Sequence, residues 1–188
     1  MLSGILVIMV GCVYLRLRGS TIVKPGQKEL DAGQITIYQQ NHEKWADNTL
    51  GDSSFTMQSS GCLVTCIASA ISSETGEAVT PGRLNEIFSQ NHVYDAEGNI
   101  QWAAIDEMES YTAVVFPDVA VTEIEGCLEN EHYPIVRVRM HGLGNFHYVL
   151  IVGIADGEYI CMDPLESKLT KLSRYLDRVY AVRMVYPL

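Results

Sequence analysis

The stretch His147-Tyr148-Val149-Leu150-Ile151-Val152-Gly153-Ile154-Ala155-Asp156-Gly157-Glu158-Tyr159-Ile160-Cys161-Met162-Asp163 decides the fold class. Residues His147 to Ile154 are apolar on both faces, as a strand in the middle of a sheet should be. Ala155-Asp156-Gly157 supplies a turn, and Glu158 to Met162 returns as a second strand. Just upstream, Ile135-Val136-Arg137-Val138-Arg139-Met140 alternates apolar and polar positions. Downstream, a short helical piece around Ser173 to Asp177 precedes a last strand, Val179 to Tyr186. Before Pro134 the apolar spacing is mostly helical. The expectation is an α+β fold, N-terminal helices packed against a C-terminal antiparallel sheet.

Among the helices, one begins at an unusual place. Ser59-Ser60-Gly61-Cys62-Leu63-Val64-Thr65-Cys66-Ile67-Ala68-Ser69-Ala70-Ile71 sets a cysteine where a small-residue loop becomes an apolar helix. Ser59 or Ser60 is expected to cap it, Gly61 to let the backbone turn without a side chain in the way, and Ser72 to Gly76 to end it. Thr80-Pro81, a capping hydroxyl followed by proline, opens a second helix with Leu84, Ile87 and Phe88 on its apolar face. A turn over Asp95 to Asn99 leads to a third, with Trp102, Ile105 and Met108 facing the core. Thr122 opens a fourth, with Ile124 and Leu128 inward, ending before Pro134. Ile35-Thr36-Ile37-Tyr38 reads as a short strand.

With 188 residues, 47% of them hydrophobic, the chain can bury one substantial core. A formal net charge of -10 excludes a nucleic-acid surface. Five cysteines, at positions 12, 62, 66, 127 and 161, are an odd number at irregular spacing, so no complete disulfide framework is expected. Cys66, Cys127 and Cys161 read as core residues. Cys62 and Cys66 lack the second pair that a structural zinc site requires, and no metal or cofactor is implied.

Met1 to Leu15 is almost wholly apolar and runs into Arg16 and Arg18. Residues 1–18 are therefore read as a signal or anchor segment, 19–33 as a linker carrying Gly19, Pro25, Gly26 and Gly33, and 34–188 as the folded domain. The apolar run is shorter than the roughly 20 residues of a spanning helix. It also lacks leading basic residues, and an ordinary buried strand is the alternative. The anchor reading puts the domain outside the cytoplasm, membrane-anchored or secreted, touching membrane only through this segment.

The hairpin brings two candidate residues together. If Ala155, Asp156 and Gly157 form a three-residue loop, Ile154 pairs with Glu158 and Asp163 falls opposite Val149, sharing a face with His147 on the diagonal. A two-residue turn flips that parity. A cysteine at a helix N-terminus, where free N–H groups favour a thiolate, a histidine at a strand start and an aspartate after the next strand are the parts of a thiol-based catalyst. Each has a plainer reading: Cys62 as core, His147 as a satisfied buried histidine, Asp163 as a turn residue before Pro164. All three are also zinc ligands, though without an HExxH or CxxC partner. His42, His92, His132 and His141 read as solvated loop residues.

Taken in order, Gln40-Asn41-His42-Glu43-Lys44-Trp45, Ser60-Gly61-Cys62, Thr80-Pro81, His147 to Gly153 and Asp163-Pro164 resemble the C-39-like cysteine peptidases. These are stand-alone, papain-fold relatives of the bacteriocin-processing peptidases that cut leader peptides after a double glycine. The resemblance spans about residues 35 to 186 and rests on the combination of motifs rather than on any one. His42 departs from it, standing where that family usually has Asp. The resemblance implies a papain-like fold, a peptide or protein substrate and no cofactor. It makes Cys62 the nucleophile, His147 the general base and acid, Asp163 the orienting carboxylate and Gln40 the oxyanion donor, with Gln39 and Gln58 as neighbouring alternatives. The implied activity is hydrolysis of a peptide or amide bond through a thioester acyl-enzyme. A cell-wall peptide hydrolase, an acyl transferase and a catalytically silent peptide-binding module are the alternatives.

Overall fold

A computed structural model describes residue 11 and residues 13–188. The expected anchor segment, 1–18, lies outside the described residues except for residue 11 and residues 13–18, and Cys12 is outside them too. Among the described residues no helix is long and apolar enough to cross a membrane.

The central helix forms where the sequence reading placed it. A single turn, α1 (Met57–Ser60), is followed by α2 (Cys62–Thr75), which stops where Gly76 takes a left-handed conformation (φ 73°) that a side chain would disfavour. Val64, Ile67, Ala68 and Ile71 of α2 are buried at 0–2% exposure, which stabilises the fold by roughly 1.5–3 kcal/mol per large side chain. Helix α3 (Pro81–Gln90) starts as expected, with Thr80 accepting a hydrogen bond from the Arg83 N–H and Pro81 in the first turn. The next helix, α4 (Trp102–Asp106), is one short turn that buries Ile105, while Trp102 and Met108 are only half-buried. Helix α5 (Val121–Glu129) opens after Ala120 rather than at Thr122, and Ile124 is its buried anchor.

The sheet has six antiparallel strands, in the order β2-β8-β3-β4-β5-β6: β2 (Tyr111–Val115), β3 (Ile135–Arg139), β4 (Phe146–Ala155), β5 (Glu158–Met162), β6 (Thr170–Lys171) and β8 (Ala181–Pro187). The α+β expectation therefore holds at the level of helices against an antiparallel sheet. One strand is out of the expected sequence order. β2 lies between α4 and α5 and joins the sheet edge by pairing with β8, Ala113 opposite Val185. The helical piece before β8 is a tight turn over Leu172–Tyr175.

The β4–β5 hairpin does not close as a three-residue loop. Asp156 and Gly157 both have positive φ, 53° and 70°, so the turn has two residues and Ala155 pairs with Glu158. That alone would have turned Asp163 away from His147. A β-bulge restores the parity: Gly153 pairs with Ile160 but Ile151 pairs with Cys161, leaving Val152 as the extra residue. From Ile151 onward the register is the expected one, with Leu150 opposite Met162.

The two sheet faces build two cores. α2 covers Ile135, Leu150, Val152 and Val185 on one face, and Val138, Val149, Cys161, Tyr175 and Val182 pack on the other. Ile35 to Tyr38 is irregular rather than a strand. Ile35, Ile37 and Tyr38 pack on the first core, and the Thr36 N–H donates to Ser73 Oγ of α2 at 3.0 Å, so its hydrogen bonding goes to a helix side chain. The stretch read as a linker runs along the domain. Within it, β1 (Thr21–Ile22) pairs with β7 (Arg178–Val179), Val23 is fully buried, and Leu30 exchanges backbone hydrogen bonds with Ile154 at 3.0 and 2.8 Å.

Candidate active site

Cys62 is the first residue of α2, and the turn before it explains how it is presented. Ser59 is not the cap of this helix. It forms a capping box with Thr56 around α1, and α2 starts from Gly61 with no side-chain cap. Gly61 has an ordinary φ of -78°, so glycine is required there by space rather than by conformation. A Cβ on it would lie 2.5 Å from the Met57 carbonyl oxygen and 2.8 Å from Met57 Cα. The first N–H groups of α2, which have no partner inside the helix, surround the cysteine backbone. One turn on, Cys66 Sγ donates to the Tyr148 carbonyl at 3.5 Å, tying the start of α2 to the start of β4.

His147 is the second residue of β4 and is 4% exposed. Its Nε2 donates to Asp163 Oδ1 at 2.7 Å. Because an ionised carboxylate only accepts, the proton lies on Nε2 and the opposite ring nitrogen is left for another partner. Cys62 lies close enough to the ring for its thiol to act on the charge of His147. Asp163, 1% exposed, is further held by the Leu165 N–H at 2.9 Å on Oδ1 and by the Tyr175 hydroxyl on Oδ2.

These contacts set the charges. Burial opposes the imidazolium of His147, and the bond to Asp163 together with the neighbouring Cys62 outweighs it, raising the group from 6.5 to about 9. Burial likewise opposes the Asp163 carboxylate, but His147, the Tyr175 hydroxyl and the Leu165 N–H hold it below the ordinary 3.8. The other described cysteines are different. Burial pushes the Cys127 thiol up to about 11 and the Cys66 and Cys161 thiols well above their ordinary value. Cys62 alone among them is partly exposed.

Gln40 is 4% exposed and sits between the two halves of the site. Its backbone N–H donates to the Pro164 carbonyl at 2.9 Å and its Nε2 to the Gln58 carbonyl at 2.8 Å, so it bridges the turn after Asp163 and the turn before Cys62. One N–H of that amide is used on Gln58, and its Oε1 is buried without a partner. The two neighbouring glutamines are placed otherwise. The Gln39 carbonyl accepts from Trp45 Nε1 at 2.9 Å, and the Gln58 side chain is exposed.

Compared with protein-family models, curated proteins and solved structures, the chain matches none. The site therefore stands on its geometry.

Cys62 opens into a cleft of about 530 Å³ whose walls include Tyr94, Trp102, Arg137, Tyr148 and Arg183. A second cleft, of about 720 Å³, lies between residues 37–48 and α3 and reaches neither Cys62 nor His147. Arg137 and Arg183, which sequence reading left as ordinary strand residues, line the first cleft. Among the described residues no three His, Cys, Asp or Glu side chains converge as a metal site requires. Two of the spare histidines are more engaged than expected. His42 stacks on Trp45 with centroids 4.6 Å apart, and His132 lies 3.2 Å from a Glu74 carboxylate oxygen; His92 and His141 are exposed.

Proposed function

We propose that the protein is a cysteine-type hydrolase, a peptidase or amidase of papain-like kind, in which Cys62, His147 and Asp163 act as a triad. The observation that carries this reading is the 2.7 Å bond from His147 Nε2 to a buried Asp163, with Cys62 close enough to act on the same ring and opening into a cleft. A core cysteine would have neither the ring nor the opening. The C-39-like resemblance agrees with the same three residues and adds Gln40.

In this mechanism the ring nitrogen facing Cys62 takes the thiol proton, and Sγ attacks the scissile carbonyl carbon. The carbonyl π electrons move onto oxygen, for which the first N–H groups of α2 and the second N–H of the Gln40 amide are the donors in this proposal. Collapse of that intermediate breaks the C–N bond, and His147 passes its proton to the departing amine. Water then attacks the thioester with His147 as base, releasing the acid and restoring the thiol. Asp163 keeps the proton on Nε2 and stabilises the imidazolium throughout.

The test is alkylation with iodoacetamide near neutral pH, read by mass spectrometry, beside a panel of peptides and cell-wall fragments. Selective labelling of Cys62 that is lost in His147→Ala, with product formed by wild type and not by Cys62→Ala, is the expected result. Labelling of Cys62 no faster than that of an unstructured thiol, unchanged in His147→Ala, would sink the triad. A cleft that binds peptide without labelling or turnover would instead favour the silent binding module.

A further inference from the structure

We propose that the cleft beside Cys62 recognises a carboxylate of the substrate through Arg137 and Arg183, so that the enzyme prefers bonds with an anionic group nearby. This rests on the hydrolase reading for the bond that is cut, but not for the anion that is bound. The argument begins with the sheet. Arg137 lies directly opposite Tyr148 in the β3–β4 pair, and Arg183 opposite Ile135 in the β3–β8 pair, which puts all three side chains on the face that α2 covers. Since α2 starts only at Cys62, this end of the face is left uncovered by the helix. What the helix does not cover is the cleft, and Arg137, Tyr148 and Arg183 line it together with Cys62.

Two guanidiniums that line one cleft repel, and among the described residues no ion pair neutralises them. Among the described residues, the ion pairs involve neither Arg137 nor Arg183. Arg183 spends its Nη1 donor on the Val182 carbonyl at 2.6 Å and, longer, on the Phe116 carbonyl at 3.5 Å, and its guanidinium lies 5.6 Å from the Trp102 ring centre. Arg137 lies over the Phe146 ring at 4.4 Å, while its Nε is buried without a partner. A buried, unpartnered guanidinium donor costs stability, because water has been removed and nothing has replaced it. Burial and the charge of Arg137 also hold Arg183 below its ordinary range.

A chain of net charge -10 has 23 acidic side chains available for pairing. Glu97 is on the cleft wall, yet it pairs with neither arginine. An incoming carboxylate would relieve the repulsion and form charge-assisted, fork-shaped pairs with the guanidinium groups that line the cleft. Two sources carry that chemistry: an Asp or Glu side chain near the scissile bond, or the free carboxyl end of a short peptide.

Two alkylating reagents of nearly equal size, one anionic and one neutral, read the cationic cleft without a substrate. Iodoacetate and iodoacetamide both form the Cys62 S–C bond and release iodide, but only the first is an anion. The ratio of their rates at Cys62 should fall about tenfold in Arg137→Gln and in Arg183→Gln relative to wild type. His147 is present in every variant, so its charge cancels in the comparison. Thermal melts identify a variant that has lost its fold, in which case Arg183→Lys, which keeps charge and loses the fork, is expected to fall less than Arg183→Gln. An unchanged ratio in folded variants would overturn the proposal.

Peptide pairs then separate the sources. Acetylated tetrapeptides differing only as Glu against Gln at one position, or as C-terminal acid against amide, are compared for kcat/KM with wild type and for binding to Cys62→Ala. A preference for the acid member that vanishes in the arginine variants supports the proposal and names the source. Should wild type cleave nothing, binding to Cys62→Ala still decides: equal binding of acid and amide members rejects the carboxylate site, and preferential binding of the acid keeps it while the hydrolase reading fails.

Discussion

The bond between His147 and Asp163 makes each residue depend on the other, and the dependence has a direction in pH. His147 is raised from 6.5 to about 9, so its contribution to stability is full below 6.5 and is lost as the pH climbs through about 9. Asp163 is lowered from 3.8, so its contribution is full above that value and is lost as the pH falls through the lower, folded one. The pair therefore stabilises most between about pH 4 and 6.5. Asp163→Asn should melt below wild type by the widest margin in that window, with the curves approaching each other toward pH 9 and toward strong acid. A margin that grows on going from pH 6 to 9 would contradict this. The same variant should lose about a hundredfold or more in turnover, because the amide stabilises the imidazolium poorly and need not keep the proton on Nε2. Tyr175→Phe is the gentler test. It removes only the hydroxyl on Asp163 Oδ2, leaves a buried carboxylate oxygen short of a donor, and should cost roughly 1–3 kcal/mol of stability by urea denaturation. Turnover should fall less than in Asp163→Asn.

Each of the elements that carry these residues is held by a detail of a kind that sequence patterns resolve poorly. The start of α2 at Cys62 and its stop at Gly76 were legible because a small-residue loop, an apolar run and a glycine stop signal coincide there. The capping serine was misread, since Ser59 serves the preceding single turn, and four-residue turns leave almost no periodicity. Strand β2 was missed although Tyr111-Thr112-Ala113-Val114-Val115 is rich in β-forming side chains, because helical segments flank it on both sides. The placement of Asp163 beside His147 was reached through a three-residue loop that does not exist; the Asp-Gly turn and the bulge at Val152 together give the same register. A bulge has no composition of its own, so only the pairing reveals it. Gly61 turns this into an element-level prediction. In Gly61→Ala the new methyl meets the Met57 carbonyl, backbone that cannot swing aside, and the α1–α2 junction must open. A loss of about 1–3 kcal/mol in stability is expected, with slower iodoacetamide labelling of Cys62 because the thiol moves relative to the ring. Unchanged melting and labelling would show that the junction yields freely.

At the scale of the molecule, the stretch 19–33 shows where composition misleads. Gly, Pro and mixed charges there match a linker, yet the burial comes from single residues that no window average detects. Val23 is fully buried in the second core, beside Tyr175 and Val179, with its own N–H donating to the Asp177 carbonyl and the two residues before it paired with β7. Lys24 pairs with Asp177, and the Gly26 N–H donates to a Glu125 carboxylate oxygen at 2.7 Å. Further along, a Cβ at Gly153 would lie 2.6 Å from the Leu30 carbonyl oxygen, so this stretch packs directly on the bulged part of β4. Tyr175 is the link to the candidate site, since it packs in the core that Val23 completes and donates to Asp163. Removing residues 1–33 should therefore cost more than the loss of exposed chain. Uncovering Val23's site alone forfeits roughly 1.5–3 kcal/mol, which for a protein of this size lowers the melting temperature by about 3 to 12 °C. A truncation ending at residue 18, which leaves Val23 and the Leu30 hydrogen bonds in place, should lose much less. If the two truncations melt together, 19–33 is a tether after all. If only the longer one drops, and its Cys62 labelling slows with it, the stretch belongs to the support of Asp163 and His147.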